Sequence, residues 1–302
     1  MSWRTVIVQD RAKIDYRMGY MVVRGKEEKR LFMDEIHTVI VETTAVSLTA
    51  AWINECMRRK IKLLFCDERH NPSCEVFPLH GSHDSSRRIR SQAGWTEEAK
   101  DLVWQAVIRE KLRHQARLLR DYDHPMEADI LEEYREEVEP RDKTNREGHG
   151  AKVYFQALFG PDFTRDDPDM INGALNYGYA ILLSACSREI AAAGYVTELG
   201  IFHKNVFNPY NLGSDLMEPF RPLVDRMVLA MEPSGLMLRP EEKHRLAGIL
   251  NEPVLSSGKK TYAALAVGAW CRSCLEAVEK GDILGLKTYD YKGEIHAGDG
   301  TL

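Results

Sequence analysis

No apolar run in this chain of 302 residues approaches the ~20 residues that a bilayer crossing requires. The opening stretch, Met1-Ser2-Trp3-Arg4-Thr5-Val6-Ile7-Val8, lacks the charged-then-apolar layout of a secretion signal. A cytoplasmic protein without a membrane anchor is expected. Positive charge is also short: 41 Lys and Arg stand against 46 Asp and Glu, a net of -5. That excludes binding to nucleic acid by bulk charge alone, so any such binding needs local basic patches. The cysteines, at 56, 66, 74, 186, 271 and 274, fall into no zinc pattern. Cys271-Arg-Ser-Cys274 has no second ligand pair to complete a structural zinc site and reads as a helix turn with two buried thiols. Internal repeats and low-complexity tracts are absent as well.

What is present divides the chain. Arg4–Val8, Tyr20–Arg24, Thr38–Glu42 and Lys62–Cys66 are short, β-branched candidate strands. A helix is expected to start near Ser47 and run through Trp52 to Met57. Residues 78–95 hold Pro78, Gly81, Gly94 and the cluster Arg87-Arg88-Ile89-Arg90, and read as an exposed linker. Helical signal begins at Thr96-Glu97-Glu98 and is predicted to reach about Leu119. Arg109, Arg113, Arg117 and Arg120 share one side of that helix, with Trp104, Ile108, Leu112 and Leu119 on another. An acidic, exposed helix is expected before Pro140. The fold class is therefore α+β: a small N-terminal β-domain (1–77), a linker (78–95), an all-helical domain (96–290) and a loose tail (291–302).

Three segments concentrate chemistry. In Asn145-Arg146-Glu147-Gly148-His149-Gly150-Ala151-Lys152-Val153-Tyr154, the glycines cost about 1 kcal/mol each in a helix. They imply close approach by another backbone or a ligand. Glu147, Ala151 and Tyr154 share a face. In Leu199-Gly200-Ile201-Phe202-His203, the histidine follows an apolar pair in a glycine-containing turn. In Asp215-Leu216-Met217-Glu218-Pro219-Phe220-Arg221-Pro222, two carboxylates three residues apart repel and want a cation, unless Arg221 serves as that partner. Carboxylates plus one imidazole suit Mg²⁺ or Mn²⁺, and such a site suits phosphoryl transfer.

Together and in this order, the three segments resemble the CRISPR-associated integrase family, the spacer-acquisition subunit. The likeness is to members from systems whose effector is one large RNA-guided nuclease, and Trp3-Arg4-Thr5-Val6 is similar too. The resemblance implies that Glu147, His203 and Glu218 bind the divalent metal, with Asp215 supporting the site. Many relatives carry aspartate where this chain has Glu218. It also implies that the 3′-hydroxyl of a foreign DNA fragment attacks phosphodiesters at the edges of a CRISPR repeat. The enzyme would act as a homodimer, bridged by a small ferredoxin-like partner into a heterohexamer on double-stranded DNA. Arg87, Arg88, Arg109, Arg113, Arg117 and Lys152 are candidate phosphate contacts. Three other readings compete: a nuclease that only hydrolyses DNA, a non-catalytic DNA-binding scaffold, and a recombinase with Tyr154 or Tyr210 as nucleophile.

Overall fold

The computed structural model describes residues 4–76, 82–233 and 238–291. Its strand-rich N-terminal part holds two sheets. The first joins β1 (Arg4–Val8), β5 (Ile36–Val41), β7 (Lys62–Cys66) and β8 (Pro72–Val76) in that order, parallel except for β8. The second orders β4 (Glu28–Phe32), β3 (Tyr20–Arg24), β2 (Ala12–Arg17) and β6 (Val46–Leu48). β2 and β3 turn at Met18–Gly19, whose φ angles of 46° and 88° are those of a two-residue hairpin turn.

Strand β5 is buried along its whole length because its sheet lies between two cores. Side chains alternate along a strand. Val39, Val41 and Leu63 therefore meet Ile14, Met21 and Trp52 of the N-terminal core, while Ile40, Leu64 and Cys66 face the helices. Helix α1 (Ala50–Arg58) starts at Thr49, whose hydroxyl accepts from the Trp52 amide. The expected cap, Ser47, lies instead in β6.

Three sequence expectations are corrected beyond β8. The stretch 78–95 is not all linker: helix α2 spans Ser85–Ala93. Its buried Gln92 binds the backbone of Val196 and Leu199, which anchors it to the helical part; residues 77–81 lie outside the described residues. Nor is the following part all-helical. Its helices are α3 (Glu97–Asp121), α4 (Pro125–Glu137), α5 (Arg146–Phe159), α6 (Met170–Ala192), α7 (Asn211–Met217), α8 (Arg221–Met231), α9 (Pro240–Ala247) and α10 (Ala263–Lys280). A three-stranded antiparallel sheet is added by β9 (Pro253–Ser256), β10 (Lys259–Tyr262) and β11 (Tyr289–Tyr291). Tyr291, placed at the start of a loose tail by sequence, is buried in β11; residues 292–302 lie outside the described residues.

Helix α3 is the axis of the helical part. The Thr96 hydroxyl caps it by accepting from the Ala99 amide. Trp104, Ile108, Leu112 and Leu119 bury the face opposite the arginines, as their spacing predicts. Cys271 and Cys274 are buried on α10; a hydrogen bond with Cys186 and burial push the Cys271 thiol well above its ordinary range, and burial does the same to Cys274.

Candidate active site

Glu147 stands in the first turn of α5, and the chain entering that helix is strained. Arg141, Asp142 and Asn145 all adopt left-handed φ, at 65°, 48° and 51°. Such residues cost about 1–3 kcal/mol each and persist only where the surroundings enforce them. Here the Asp142 carboxylate accepts from the amides of Arg146 (2.8 Å) and Glu147 (3.0 Å), and Asn145 accepts from Gly148 (3.3 Å). Gly150 brings α5 close to α3: a Cβ there would come within 2.5 Å of the Leu112 side chain. The close approach implied by the glycines is thus to a neighbouring helix.

His203 lies on an irregular loop held from inside. The Asp215 carboxylate, on α7, accepts from the amides of Ile201 (2.6 Å), Phe202 (3.0 Å) and His203 (3.1 Å), and binds the His203 ring at Nδ1 (2.5 Å). Only glycine fits at position 200, where a Cβ would lie 2.4 Å from the His203 carbonyl and 2.8 Å from Asp215 Oδ2. Phe202 stacks on Trp104 of α3 at 4.3 Å, and the His203 ring meets Trp104 edge-on at 5.9 Å. With Nδ1 held by Asp215, the neutral form of the ring would carry its lone pair on Nε2. The Asp215 hydrogen bond, against burial, holds His203 above its ordinary pKa, and Glu218 and Glu147 add to the effect. Asp215 and Glu218 do not share a cation: Asp215 is spent on the histidine loop.

Glu218 opens the single turn between α7 and α8 and is buried. Its Oε1 pairs with Arg221 (2.8 Å), the salt bridge that sequence spacing allowed. Its Oε2 lies 2.5 Å from Lys111 Nζ as an ion pair but accepts no hydrogen bond of good geometry. Lys111 in turn donates to Glu147 Oε1 at 2.7 Å. Burial alone would raise the Glu218 carboxyl; Arg221 and Lys111 outweigh it and hold it down. Burial would likewise lower Lys111, and Glu147 and Glu218 outweigh that.

Glu147 and Glu218 are therefore brought together through Lys111, with His203 in electrostatic reach of both. Among the described residues, however, no three His, Cys, Asp or Glu side chains stand close enough to hold an ion as they are. The ammonium occupies the position between the carboxylates. The donor set still suits a divalent cation: two carboxylates, whose charge Lys111 offsets here, and an imidazole held at Nδ1 by Asp215. Lys111 escaped the sequence reading, yet it left a signal. It sits on the apolar face of α3 beside Ile108 and Leu112, where a lone charge needs a buried partner.

The candidate DNA-contacting residues do not converge. Arg113 is tied to Asp290 (2.6 Å), Glu110 (2.8 Å) and the Tyr289 carbonyl (2.7 Å), while Arg117 covers the Tyr291 ring at 4.6 Å. Arg109 reaches the Glu136 and Val138 carbonyls at 3.4 Å. Arg87 and Arg88 pair with Asp84 on α2, and Lys152 is exposed on α5. Tyr154 is unsuited as a nucleophile: it is buried, donates to Asp225 (2.8 Å), and burial with the Asp225 charge drives its pKa well up. No helix of the described residues is long and apolar enough to cross a membrane.

A strand-rich unit joined to a helical part that presents two acids and a histidine around one lysine defines an α+β protein with an acidic, partly buried site. Residues 5–242 match the family model described as CRISPR associated protein Cas1. A protein from Neisseria meningitidis serogroup C, named CRISPR-associated endonuclease Cas1, is 30% identical over 97% of this chain and 100% of its own length. The chain belongs to the Cas1 family. Among solved structures, a casposase bound to integration product shares the fold, with a TM-score of 0.70 at 17% identity over 99% of this chain and 96% of that one. A Cas6-RT-Cas1--Cas2 complex does so with a TM-score of 0.69 at 16% identity, over 97% of this chain and 36% of that one.

Proposed function

We propose that this chain is a divalent-metal-dependent DNA integrase that inserts foreign DNA fragments into a CRISPR array. The observation that carries the reading is the pair of acids, Glu147 and Glu218, facing one ammonium beside an imidazole that Asp215 holds at Nδ1. Glu147, His203 and Glu218 would hold Mg²⁺ or Mn²⁺ in place of the Lys111 ammonium. When bound, the ion supplies Lewis-acid stabilisation of charge on the phosphate and on the entering and leaving oxygens. Asp215 fixes the tautomer and direction of His203, and Asp142 fixes the first turn of α5 that carries Glu147. The 3′-oxygen of the fragment forms the new bond to phosphorus as the repeat's own 3′-oxygen leaves, so the protein provides no nucleophile.

Two such attacks, one at each repeat edge, need two sites at a fixed spacing. A homodimer bridged by a small ferredoxin-like partner into a heterohexamer supplies that spacing. The presence of Cas2 in the Cas6-RT-Cas1--Cas2 complex, which shares this fold, supports a partner of this kind. The N-terminal β-domain would form the dimer and touch the DNA ends; Arg87, Arg88 and Lys152 remain phosphate contacts on this reading, in the cytoplasm. Hydrolytic cutting by the same ligands is the second reading, favoured by the endonuclease name of the Neisseria relative.

The test is joining of a short labelled duplex with free 3′-hydroxyls to a supercoiled plasmid that carries a CRISPR repeat, with and without the partner. Metal-dependent joining at the repeat edge, abolished by Glu218→Ala, is expected. Cutting without joining selects the hydrolytic reading. DNA binding with neither reaction under Mg²⁺ or Mn²⁺ rejects the site.

A further inference from the structure

A second cluster of charges lies at the start of α3. Glu97 there receives three cations: Lys100 on its Oε1 at 3.0 Å, and Lys204 at 3.0 Å and Arg141 at 3.7 Å on its Oε2. Each cation lies on, or just before, a segment that carries a residue of the candidate active site. Lys100 shares α3 with Lys111, Lys204 follows His203, and Arg141 is the first left-handed residue before the helix of Glu147. The same three elements thus converge twice, at the site and here. At 1.5 Å rise per residue, Lys100 lies roughly 16 Å from Lys111 along α3, about five nucleotides of duplex strand.

The cluster is not needed to hold the fold. Glu97, Lys204 and Arg141 are solvent-exposed, with side-chain exposures of 50%, 54% and 49%, while Lys100 is 16% exposed. Exposed pairs of this kind contribute at most about 1 kcal/mol each. Three cations converge on this one carboxylate in a chain whose net charge is -5. Just beyond Lys204, Val206 and Phe207 are 88% and 92% exposed, so an aromatic face sits next to the cations. Cations beside an exposed aromatic ring suit a nucleic acid strand, with its phosphates on the cations and an unstacked base on the ring.

We propose that Lys100, Arg141 and Lys204 form a phosphate subsite for the DNA strand that leads to His203, and that the Glu97 carboxylate occupies this subsite as an internal stand-in until a phosphate displaces it. The proposal rests on the reading of the chain as an enzyme acting on DNA. It makes opposite predictions for neighbouring residues. Removing a cation weakens binding, whereas removing the acid strengthens it.

The experiment is a salt titration of binding to a labelled DNA duplex with 3′ single-stranded extensions, by fluorescence anisotropy on the full chain, with EDTA present. Each lost phosphate contact reduces the slope of log K against log salt by about 0.9. Arg141→Gln and Lys204→Gln are expected to show that reduction and weaker binding, and Glu97→Gln is expected to bind about threefold or more tightly at low salt. All three side chains are exposed, so melting temperatures should match that of the native chain. If the native chain binds DNA but the three variants share its affinity and slope, the subsite is overturned and the functional reading stands. If the native chain does not bind DNA at all, both fall.

Discussion

Glu189 and Glu218 are both carboxylates sunk among cations, but the two surroundings differ in how they are closed. Glu189, on α6, lies where the first sheet meets the helical part. It is paired with Arg188, with Arg272 at 2.5 Å and with the buried His37 of β5 at 3.4 Å. Gly268 lies so close that a Cβ there would stand 3.0 Å from the carboxylate. One acid has several partners and no spare oxygen. Around Glu218 two acids meet two cations: Lys111 lies between Glu147 and Glu218, and Arg221 pairs with Glu218 alone. Glu147 and His203 open the cluster to solvent, with side-chain exposures of 25% and 39%. A closed carboxylate joins parts of a fold; an open pair of acids has room for another cation.

The largest effect should come from breaking the closed cluster. Glu189→Ala removes the acid partner of the mostly buried Arg188 and the buried His37 and is expected to lose about 3–5 kcal/mol of stability in urea denaturation. Burial would raise the Glu189 carboxyl, but His37, Arg188 and Arg272 outweigh it and hold it at about 2. Its contribution is thus fully present above the unfolded value of about 4.3 and is lost as pH falls toward 2, so the variant's deficit should shrink in acid. A deficit under 1 kcal/mol at pH 7 would mean that the two clusters do not differ as described.

At the open cluster the same kind of change should cost function instead. Glu218→Gln keeps the shape and removes the charge. Joining should fall about 10²–10³-fold, the scale of losing one electrostatic stabiliser, and the rise in melting temperature produced by Mn²⁺ should disappear. A large drop in the melting temperature of the metal-free variant would place Glu218 with Glu189 as a structural acid.

Asp225 provides an intermediate case: it accepts from the hydroxyls of Tyr154 (2.8 Å) and Tyr179 (2.5 Å), with Arg165 and Arg221 acting on it only from a distance. Burial raises its carboxyl to about 6. Because the folded value is the higher one, this group favours the fold below about pH 4, and the benefit is lost as pH rises through 6. Asp225→Asn should remove up to about 3 kcal/mol of the change in stability between pH 4 and pH 7, read from denaturation at both. An unchanged pH profile would show that Asp225 is ordinary.

The smallest expected effect belongs to Asp215, which touches the site only through His203. Asp215→Asn should weaken Mn²⁺ binding about 10–100-fold, measured by titration of the melting temperature. Equal affinities would remove it from the positioning role.

Much of this contrast was hidden from the sequence for physical reasons. Strands Arg4–Val8, Tyr20–Arg24 and Lys62–Cys66 announce themselves because β-branched and apolar residues fill them. Ala12–Arg17, Glu28–Phe32 and Pro72–Val76 do not, since one or both faces meet water and carry charge. The last sheet is built from strands of three or four residues, too short for a period to show. Glu147, His203 and Glu218 stood out through the glycines and acids around them, and Arg221 through its spacing. Lys111 and Glu189 were hidden because their partners come from distant segments. The arginine side of α3 shows the opposite failure: its spacing was regular, yet Asp290 and the Tyr291 ring, far along the chain, take up Arg113 and Arg117.

The doubly covered first sheet has a consequence for dissection of the molecule. Ile40, Leu64 and Cys66 are buried by helices that come much later in the chain, so the strand-rich piece expressed alone would carry a bare apolar face. It should therefore be insoluble by itself and soluble when co-produced with the remaining piece as a separate polypeptide. Reassembly of two severed halves would make the protein a reporter of proximity, silent until both fragments meet.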